Sequence, residues 1–151
     1  MNKLLLQDTF DRFLVSEASV TTFATFAIDG QLHPEFYDPE TPEGQKAKGR
    51  RQVTWQEIRP FCYSVIRGRR TPLAFKFVFQ LPESETALLL ARAGLNLEPR
   101  DVFGLFFNCQ YHGDVLTLTT GSSLRVFTMD KSLDRAWDAM LEDFLRNQEL
   151  E

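Results

Sequence analysis

An alternation of large apolar side chains with other residues between Leu73 and Leu81 constrains the fold of this chain more than any other feature. Leucine or phenylalanine occupies every second position of the segment, so one of its faces is apolar throughout. A repeat of two residues is the period of a β-strand. The segment therefore predicts a strand over 73–81, in a sheet that buries one face beneath helices.

Further strands are predicted on both sides of this one. Asp29-Gly30 lies between two extended segments, and an Asp-Gly pair is a strong two-residue hairpin signal because both positions take a positive φ. We therefore expect 16–28 and 31–37 to pair as antiparallel strands. Three more strands are expected over 102–111, 115–120 and 124–129, with turns at 112–114 and 121–122.

Helices are predicted where apolar residues recur at spacings of three and four. The longest follows Asp130, a candidate cap, and carries an apolar stripe at Leu133, Ala136, Trp137, Met140, Leu141, Phe144 and Leu145. Thr54 and Glu57 match a capping box, but Pro60 leaves 61–66 open between helix and strand. A helix over 83–93 should end at Gly94, and a short helix should begin at Asp8.

These elements predict one α+β domain spanning residues 1–151. Its sheet is expected to be mostly antiparallel, with five to six strands covered by about four helices, including a long C-terminal helix. A chain of 151 residues is the usual length of one domain. Residues 38–51 contain two prolines, two glycines and no large apolar residue, which predicts a flexible loop.

The sequence also predicts a cytoplasmic protein. It shows no secretory signal and no apolar run of the roughly 18 residues that a membrane span needs, so no membrane partner is expected. Cys62 and Cys109 are the only cysteines, and we expect reduced thiols rather than a disulfide.

No catalytic residue, metal site or cofactor is predicted from the sequence. Cys109 and His112 are close in sequence, but residues three apart on a strand point to opposite faces. The other histidine, His33, has no neighbouring ligand set for zinc. Glycine-rich phosphate loops and the nucleophile elbow of hydrolases are absent from the sequence.

The distribution of charge is strongly uneven. Lys46–Lys76 contains nine basic residues and one acid, a net charge of +8, whereas the rest of the chain carries −12. One interpretation is a site for a polyanionic or phosphorylated ligand, nucleic acid among them. Its candidate contacts are Arg67, Arg69 and Arg70, supported by Arg50, Arg51 and Lys76. The alternative is neutralisation within the fold, for example by Asp134, Asp138 and Glu142, which line one side of the last helix.

Three functions are therefore weighed. The leading hypothesis is a non-catalytic intracellular binding or regulatory domain that acts through a protein partner or through self-association as a homo-oligomer. It is favoured because no catalytic set is recognised and because Val78 and Phe106 place apolar residues on the second face of their strands. The alternatives are the anion binder described above and an unrecognised enzyme. In that enzyme a buried Lys76 would be the nucleophile, although a lysine at this position more commonly extends to solvent or pairs with an acid.

Five segments together resemble a known family. They are TFATFAIDG (22–30), WQEIRP (55–60), IRGRRTPLAFK (66–76), TGSSL (120–124) and FTMDKSLDRAWD (127–138). They resemble an uncharacterised bacterial family, domain of unknown function 5721, over essentially the whole chain. The resemblance implies an intracellular bacterial protein of one domain. Because the family has no assigned activity, it assigns no functional residue to this sequence.

Overall fold

The sheet has five strands and is antiparallel throughout, in the order β2-β1-β3-β4-β5. We describe residues 2–68 and 70–148 of a computed structural model. The strands are β1 (Leu14–Thr21), β2 (Thr25–Ile28), β3 (Ala74–Gln80), β4 (Val102–His112) and β5 (Val115–Leu124). The predicted strand over 73–81 is β3, which lies at the centre of the sheet.

Four helices of six residues or more accompany the sheet in the described part of the chain, together with one N-terminal helical turn. They are α1 (Asn2–Leu5), α2 (Pro42–Ala47), α3 (Trp55–Ile66), α4 (Glu83–Ala93) and α5 (Ser132–Asn147). The predicted single α+β domain with a long C-terminal helix is confirmed. Gly94 ends α4 in the left-handed conformation, as its position predicts.

One face of the sheet is buried. Phe75, Phe77 and Phe79 of β3 are fully enclosed, whereas the intervening Lys76 and Val78 are only partly covered on the other face. Two tryptophans fix helices to the rest of the core. The indole Nε1 of Trp55 in α3 donates to the Leu4 carbonyl, and that of Trp137 in α5 donates to the Phe106 carbonyl, each at 2.9 Å. Both buried indoles thus satisfy their polar atom.

Residues 61–66, for which the sequence leaves helix and strand as alternatives, are helical and belong to α3. The capping box at its start is complete, because Glu57 accepts from the Thr54 backbone N–H at 2.8 Å and Thr54 Oγ1 accepts from that of Glu57. Trp55, Ile58 and Cys62 lie on the buried side, while Pro60 is exposed. Burial of that stripe therefore outweighs the hydrogen bond that proline removes.

The predicted hairpin around Asp29-Gly30 is wrong. β1 turns instead at 22–24 and pairs with β2 through Val20 and Phe26, so the predicted first strand is itself a hairpin. Residues 31–37 contain a 3-10 turn at Pro34–Phe36 rather than a strand. Gly30 does take a positive φ of 76°, but the ideal Cβ position lies 2.2 Å from the Val15 carbonyl oxygen. Glycine is therefore needed at position 30 because the backbone lies too close to β1 for a side chain.

The predicted turn at 121–122 is also wrong. Gly121 and Ser122 pair with Phe106 and Leu105 within β5, which runs unbroken to Leu124. Residues 124–129 consequently form no third strand. Glycine in an edge strand is compatible with continued pairing, and Gly121 has no positive φ that would signal a turn.

Three further predictions need correction. Asp8 does not start a helix, because 8–13 forms isolated turns that still place Phe10 and Phe13 in the core. Residues 38–51 include the helix α2, whose Thr41 side chain accepts from the Gly44 N–H at 3.1 Å. Helix α5 begins at Ser132, two residues after Asp130, whose carboxylate accepts from the Ser132 N–H at 2.9 Å.

Candidate functional site

A cavity of about 580 Å³ opens at the end of the sheet where β3 finishes and β4 begins. Four elements meet there: the segment before α3, the start of α4, the 3-10 turn that leads into β4, and the residue after β5. Its polar lining is dominated by four arginines and two glutamines, namely Arg50, Arg51, Gln52, Gln80, Arg100 and Arg125. We call this the arginine cavity.

A β-bulge shapes the mouth of the arginine cavity. The β4–β5 register passes from the Val102–Leu124 pair directly to the Gly104–Ser123 pair, so Phe103 is left unpaired. Its ring is 60% exposed, and the Arg125 guanidinium carbon lies 5.4 Å from the ring centroid. This contact is within cation–π range and orients Arg125 beside the opening.

The floor of the cavity is a chain of polar groups. The Gln52 amide donates to the Val15 carbonyl at 3.2 Å and to Ser16 Oγ at 3.4 Å. The Ser16 hydroxyl in turn donates to the side-chain Oε1 of Gln80 at 3.5 Å. The side-chain Nε2 of Gln80 donates to the Phe103 backbone carbonyl, also at 3.5 Å. Gln52 uses both N–H groups of its side-chain amide in these bonds, whereas Gln80 keeps one amide N–H that a ligand can accept.

Gly104 keeps space open beside this floor. A Cβ at this position would lie 2.6 Å from the Phe106 ring and 2.8 Å from the Gln80 amide nitrogen. Any larger residue would therefore displace Gln80.

Arg50 is committed to an ion pair within the fold. Its guanidinium donates to both carboxylate oxygens of Glu57, at 2.6 and 3.2 Å. The hydrogen bond from Arg50 holds the pKa of the Glu57 carboxyl below its ordinary value, and the same bond raises the pKa of Arg50. Arg50 therefore contributes little net charge to the cavity.

The remaining arginines differ in how freely they can meet an anion. Arg100 pairs with Glu98 at 2.6 Å, and both side chains are largely exposed. Arg51 and Arg125 have no carboxylate partner within the described residues. Among the residues that the structure describes, Glu83 is the only carboxylate that lines the cavity. Two unpaired guanidinium groups thus border one concavity.

Of the six residues predicted as anion contacts, the five that the structure describes do not lie together in one site. Arg50 and Arg51 line the arginine cavity, whereas Arg67 and Arg70 are exposed on the connection from α3 to β3 and do not line it. Arg69 lies outside the described residues. Lys76 lies on the open face of the sheet, half-exposed, with its Nζ 3.3 Å from a Glu17 carboxylate oxygen.

Sequence reasoning missed Arg100 and Arg125. Both belong to the part of the chain whose net charge is negative, so no local excess of basic residues marks them. The sheet brings them to the cavity, because the start of β4 and the end of β5 are paired neighbours.

The surroundings of Lys76 do not support a role as nucleophile. Its side chain is half-exposed, its ammonium is paired with Glu17, and it does not line the arginine cavity. An activated lysine needs desolvation or a neighbouring cation, and the part of the chain that the structure describes gives Lys76 neither.

Part of the basic segment is neutralised within the fold. Besides Arg50, Arg59 donates to both oxygens of Asp11 at 2.9 and 3.0 Å. Two acidic residues of α5 that were expected to neutralise the basic segment bind β5 instead. Asp138 and Asp134 accept hydrogen bonds from the Thr120 and Ser122 hydroxyls.

Neither cysteine has the surroundings of a catalytic thiol. Cys62 and Cys109 are free and buried, and burial raises the pKa of Cys62 to about 11 and that of Cys109 to about 12. No group of three histidine, cysteine or acidic side chains in ranges 2–68 and 70–148 could hold a metal ion. Over the same ranges, no helix is both long and apolar enough to cross a membrane.

A known protein family matches nearly the whole chain. Residues 3–151 match the family described as a family of unknown function, DUF5721. The chain belongs to DUF5721. No curated protein matches it, and no solved structure matches it either. The resemblance of the five sequence segments is thereby confirmed, and any function for this DUF5721 member has to be argued from its own residues.

Proposed function

We propose that this DUF5721 domain binds a small phosphorylated molecule in the arginine cavity. The observation that carries the proposal is the convergence of Arg51 and Arg125, two guanidinium groups without carboxylate partners, on one concave site. A guanidinium donates two parallel hydrogen bonds to phosphate and keeps its charge at every physiological pH.

The shape of the site supports a small ligand over a nucleic-acid duplex. A volume of about 580 Å³ lies in the range typical of small-molecule pockets. Duplex binding relies on many phosphate contacts spread along a surface, whereas Arg67 and Arg70 are not part of this lining. In the proposed complex Arg51 and Arg125 hold the phosphate, and the Gln52 and Gln80 amides contact the remainder of the ligand.

The proposal includes a cytoplasmic location. Both thiols are free and buried, and burial raises the pKa of each. Free thiols are typical of a compartment that keeps cysteines reduced. Fractionation of cells that produce the tagged protein tests this part, and recovery in an exported fraction would contradict it.

Calorimetric titration of the full chain with inorganic pyrophosphate at low and moderate salt tests the proposal. The double variant Arg51→Gln/Arg125→Gln should weaken binding about a hundredfold, because each charge-assisted contact is worth about tenfold or more. The matched control is Arg67→Gln/Arg70→Gln, which removes two arginines outside the cavity and should leave the affinity unchanged.

Three outcomes would overturn the proposal. They are the absence of pyrophosphate binding at low salt, equal losses in the two double variants, or loss only in the Arg67→Gln/Arg70→Gln protein. A parallel titration with a labelled single-stranded oligonucleotide distinguishes the nucleic-acid alternative. Tighter oligonucleotide binding that depends on Arg67 and Arg70 would move the site to the α3–β3 connection.

A further inference from the structure

The strand β5 forms an open edge of the sheet. It is ten residues long and, within the described part of the chain, pairs only with β4, whereas the opposite edge is the four-residue strand β2. An open edge exposes backbone donors and acceptors that can pair with another strand. This edge differs chemically from the arginine cavity, because it offers uncharged backbone groups rather than guanidinium groups.

The β4–β5 hairpin determines which backbone groups face outward. Gly113 and Asp114 both have a positive φ, 58° and 66°, in a two-residue loop between the paired His112 and Val115. The pair that flanks such a loop is hydrogen-bonded, and bonded pairs alternate along an antiparallel ladder. The N–H and C=O groups of Leu116, Leu118, Thr120 and Ser122 therefore point away from β4. Within residues 2–68 and 70–148, no backbone bond outside the strand ladder reaches them.

The side chains of β5 lack the features that usually protect an edge. Residues 115–124 include no charged residue and no proline, and no bulge interrupts the register from Gly104 to His112. On the face shared with the core, Leu118 and Leu116 lie opposite Cys109 and Tyr111 but remain 39% and 45% exposed. The strand is thus an uncharged edge with two incompletely covered leucines.

Helix α5 packs against only the C-terminal half of this edge, where residues 122–124 are half-buried and Thr120 stays exposed. Asp134 and Asp138 bind the hydroxyls of Ser122 and Thr120, which holds α5 over the C-terminal half of β5. The leucine half receives no such cover. A partner that brings a second helix-covered strand in antiparallel orientation would place its covered half beside Leu116 and Leu118. A second copy of this chain meets that requirement.

We propose that two copies of this chain pair through β5 in an antiparallel arrangement with a two-fold axis at Thr119. Leu118 then lies opposite Thr120 of the second copy, and Leu116 lies opposite its Ser122. All four outward N–H groups of each strand find carbonyls in this register. The contact is the same on both copies, so it closes as a dimer and joins the two sheets into one.

Analytical ultracentrifugation over a concentration series tests whether the dimer forms. The expected mass is twice that of the 17.4 kDa chain. Leu118→Lys places a charge beside its copy across the interface and should shift the protein to monomer, with the circular dichroism spectrum and melting temperature retained. The matched control is Ala27→Lys on the exposed opposite edge, which should stay dimeric. A protein that stays monomeric at every concentration up to about 1 mM would overturn the proposal.

Cysteine cross-linking tests the register. Two copies of Thr119→Cys would face each other across the axis with Cα atoms about 4.5 Å apart, which a disulfide can span. Thr117→Cys on the same face is the control, because its two copies would be about 13 Å apart along the strands. Mild oxidation should therefore produce a covalent dimer only from Thr119→Cys. Equal cross-linking of both variants, or a dimer that survives Leu118→Lys without cross-linking at 119, would overturn this interface.

Discussion

Arg50 holds both carboxylate oxygens of Glu57, and the oxygen it approaches most closely, at 2.6 Å, also accepts the Thr54 backbone N–H at 2.8 Å. One carboxylate thus caps α3 and anchors the segment that forms a wall of the arginine cavity. The start of α3 and the position of Arg51, the next residue, are mechanically connected through this group. A substitution that weakens this cap should therefore also change the shape of the arginine cavity.

Replacing Glu57 should destabilise the domain noticeably. Glu57→Ala removes half of the capping box and leaves the half-buried Arg50 without its anion, so we expect a loss of about 2 kcal/mol in the free energy of unfolding. Urea denaturation at pH 7 measures it. Glu142→Ala, an exposed glutamate on α5, is the control and should change stability by less than about 0.5 kcal/mol. Equal effects of the two variants would contradict the role assigned to Glu57.

The stabilisation by Glu57 should depend on pH in a defined direction. The pKa of its carboxyl is lower in the folded protein than in the unfolded chain, where it is about 4.3. The charged pair therefore stabilises the fold fully above that unfolded value, and the gain disappears as pH falls through the lower folded pKa. Denaturation of the wild type and of Glu57→Gln from pH 7 to pH 2 measures the difference. A difference that is constant over this range would contradict the assignment.

Two glycines with similar φ values should respond very differently to substitution. Gly30 and Gly49 have φ of 76° and 79°, but a Cβ on Gly30 would lie 2.2 Å from a backbone oxygen, whereas nothing lies within 4 Å of one on Gly49. Gly49→Ala should cost about 1 kcal/mol for the left-handed conformation alone. Gly30→Ala adds a backbone clash and should cost about 3 kcal/mol or more. Thermal and urea unfolding measure both, and similar losses would contradict the close approach of Gly30 to β1.

The two thiols should be unreactive in the folded protein. Burial raises the pKa of Cys62 to about 11 and that of Cys109 to about 12, so almost no thiolate exists at pH 8. Ellman's reagent should label neither cysteine in the native state and both after denaturation in guanidinium chloride. Rapid labelling of one native thiol would show that its surroundings open on the time scale of the assay.

Periodic patterns predicted the elements that depend on one segment alone. The alternation over 73–81 and the capping box at Thr54 both identified real elements, because each pattern reports burial of one face or one local hydrogen-bonded end. The turn signals were weaker guides. Asp29-Gly30 has the residues of a hairpin turn, but Gly30 is needed where the chain passes beneath β1.

The residues of the candidate anion site could likewise be predicted only in part from the sequence. Local charge density drew attention to Arg50 and Arg51, yet it ranked them below Arg67 and beside Lys76, and both of those residues lie elsewhere. Arg125 carried no local signal, and it reaches the cavity only because β5 returns beside β4.

What the sequence determined by itself is the α+β class, the central strand, the long amphipathic C-terminal helix and the family, because hydrophobic periodicity and short motifs are properties of contiguous residues. What only the tertiary structure decided is which arginines are paired, which converge on one cavity, and which edge of the sheet stays open. Those properties depend on strand order and on distances between residues far apart in the chain. Charge and backbone pairing act through space, so their outcome is decided by the fold.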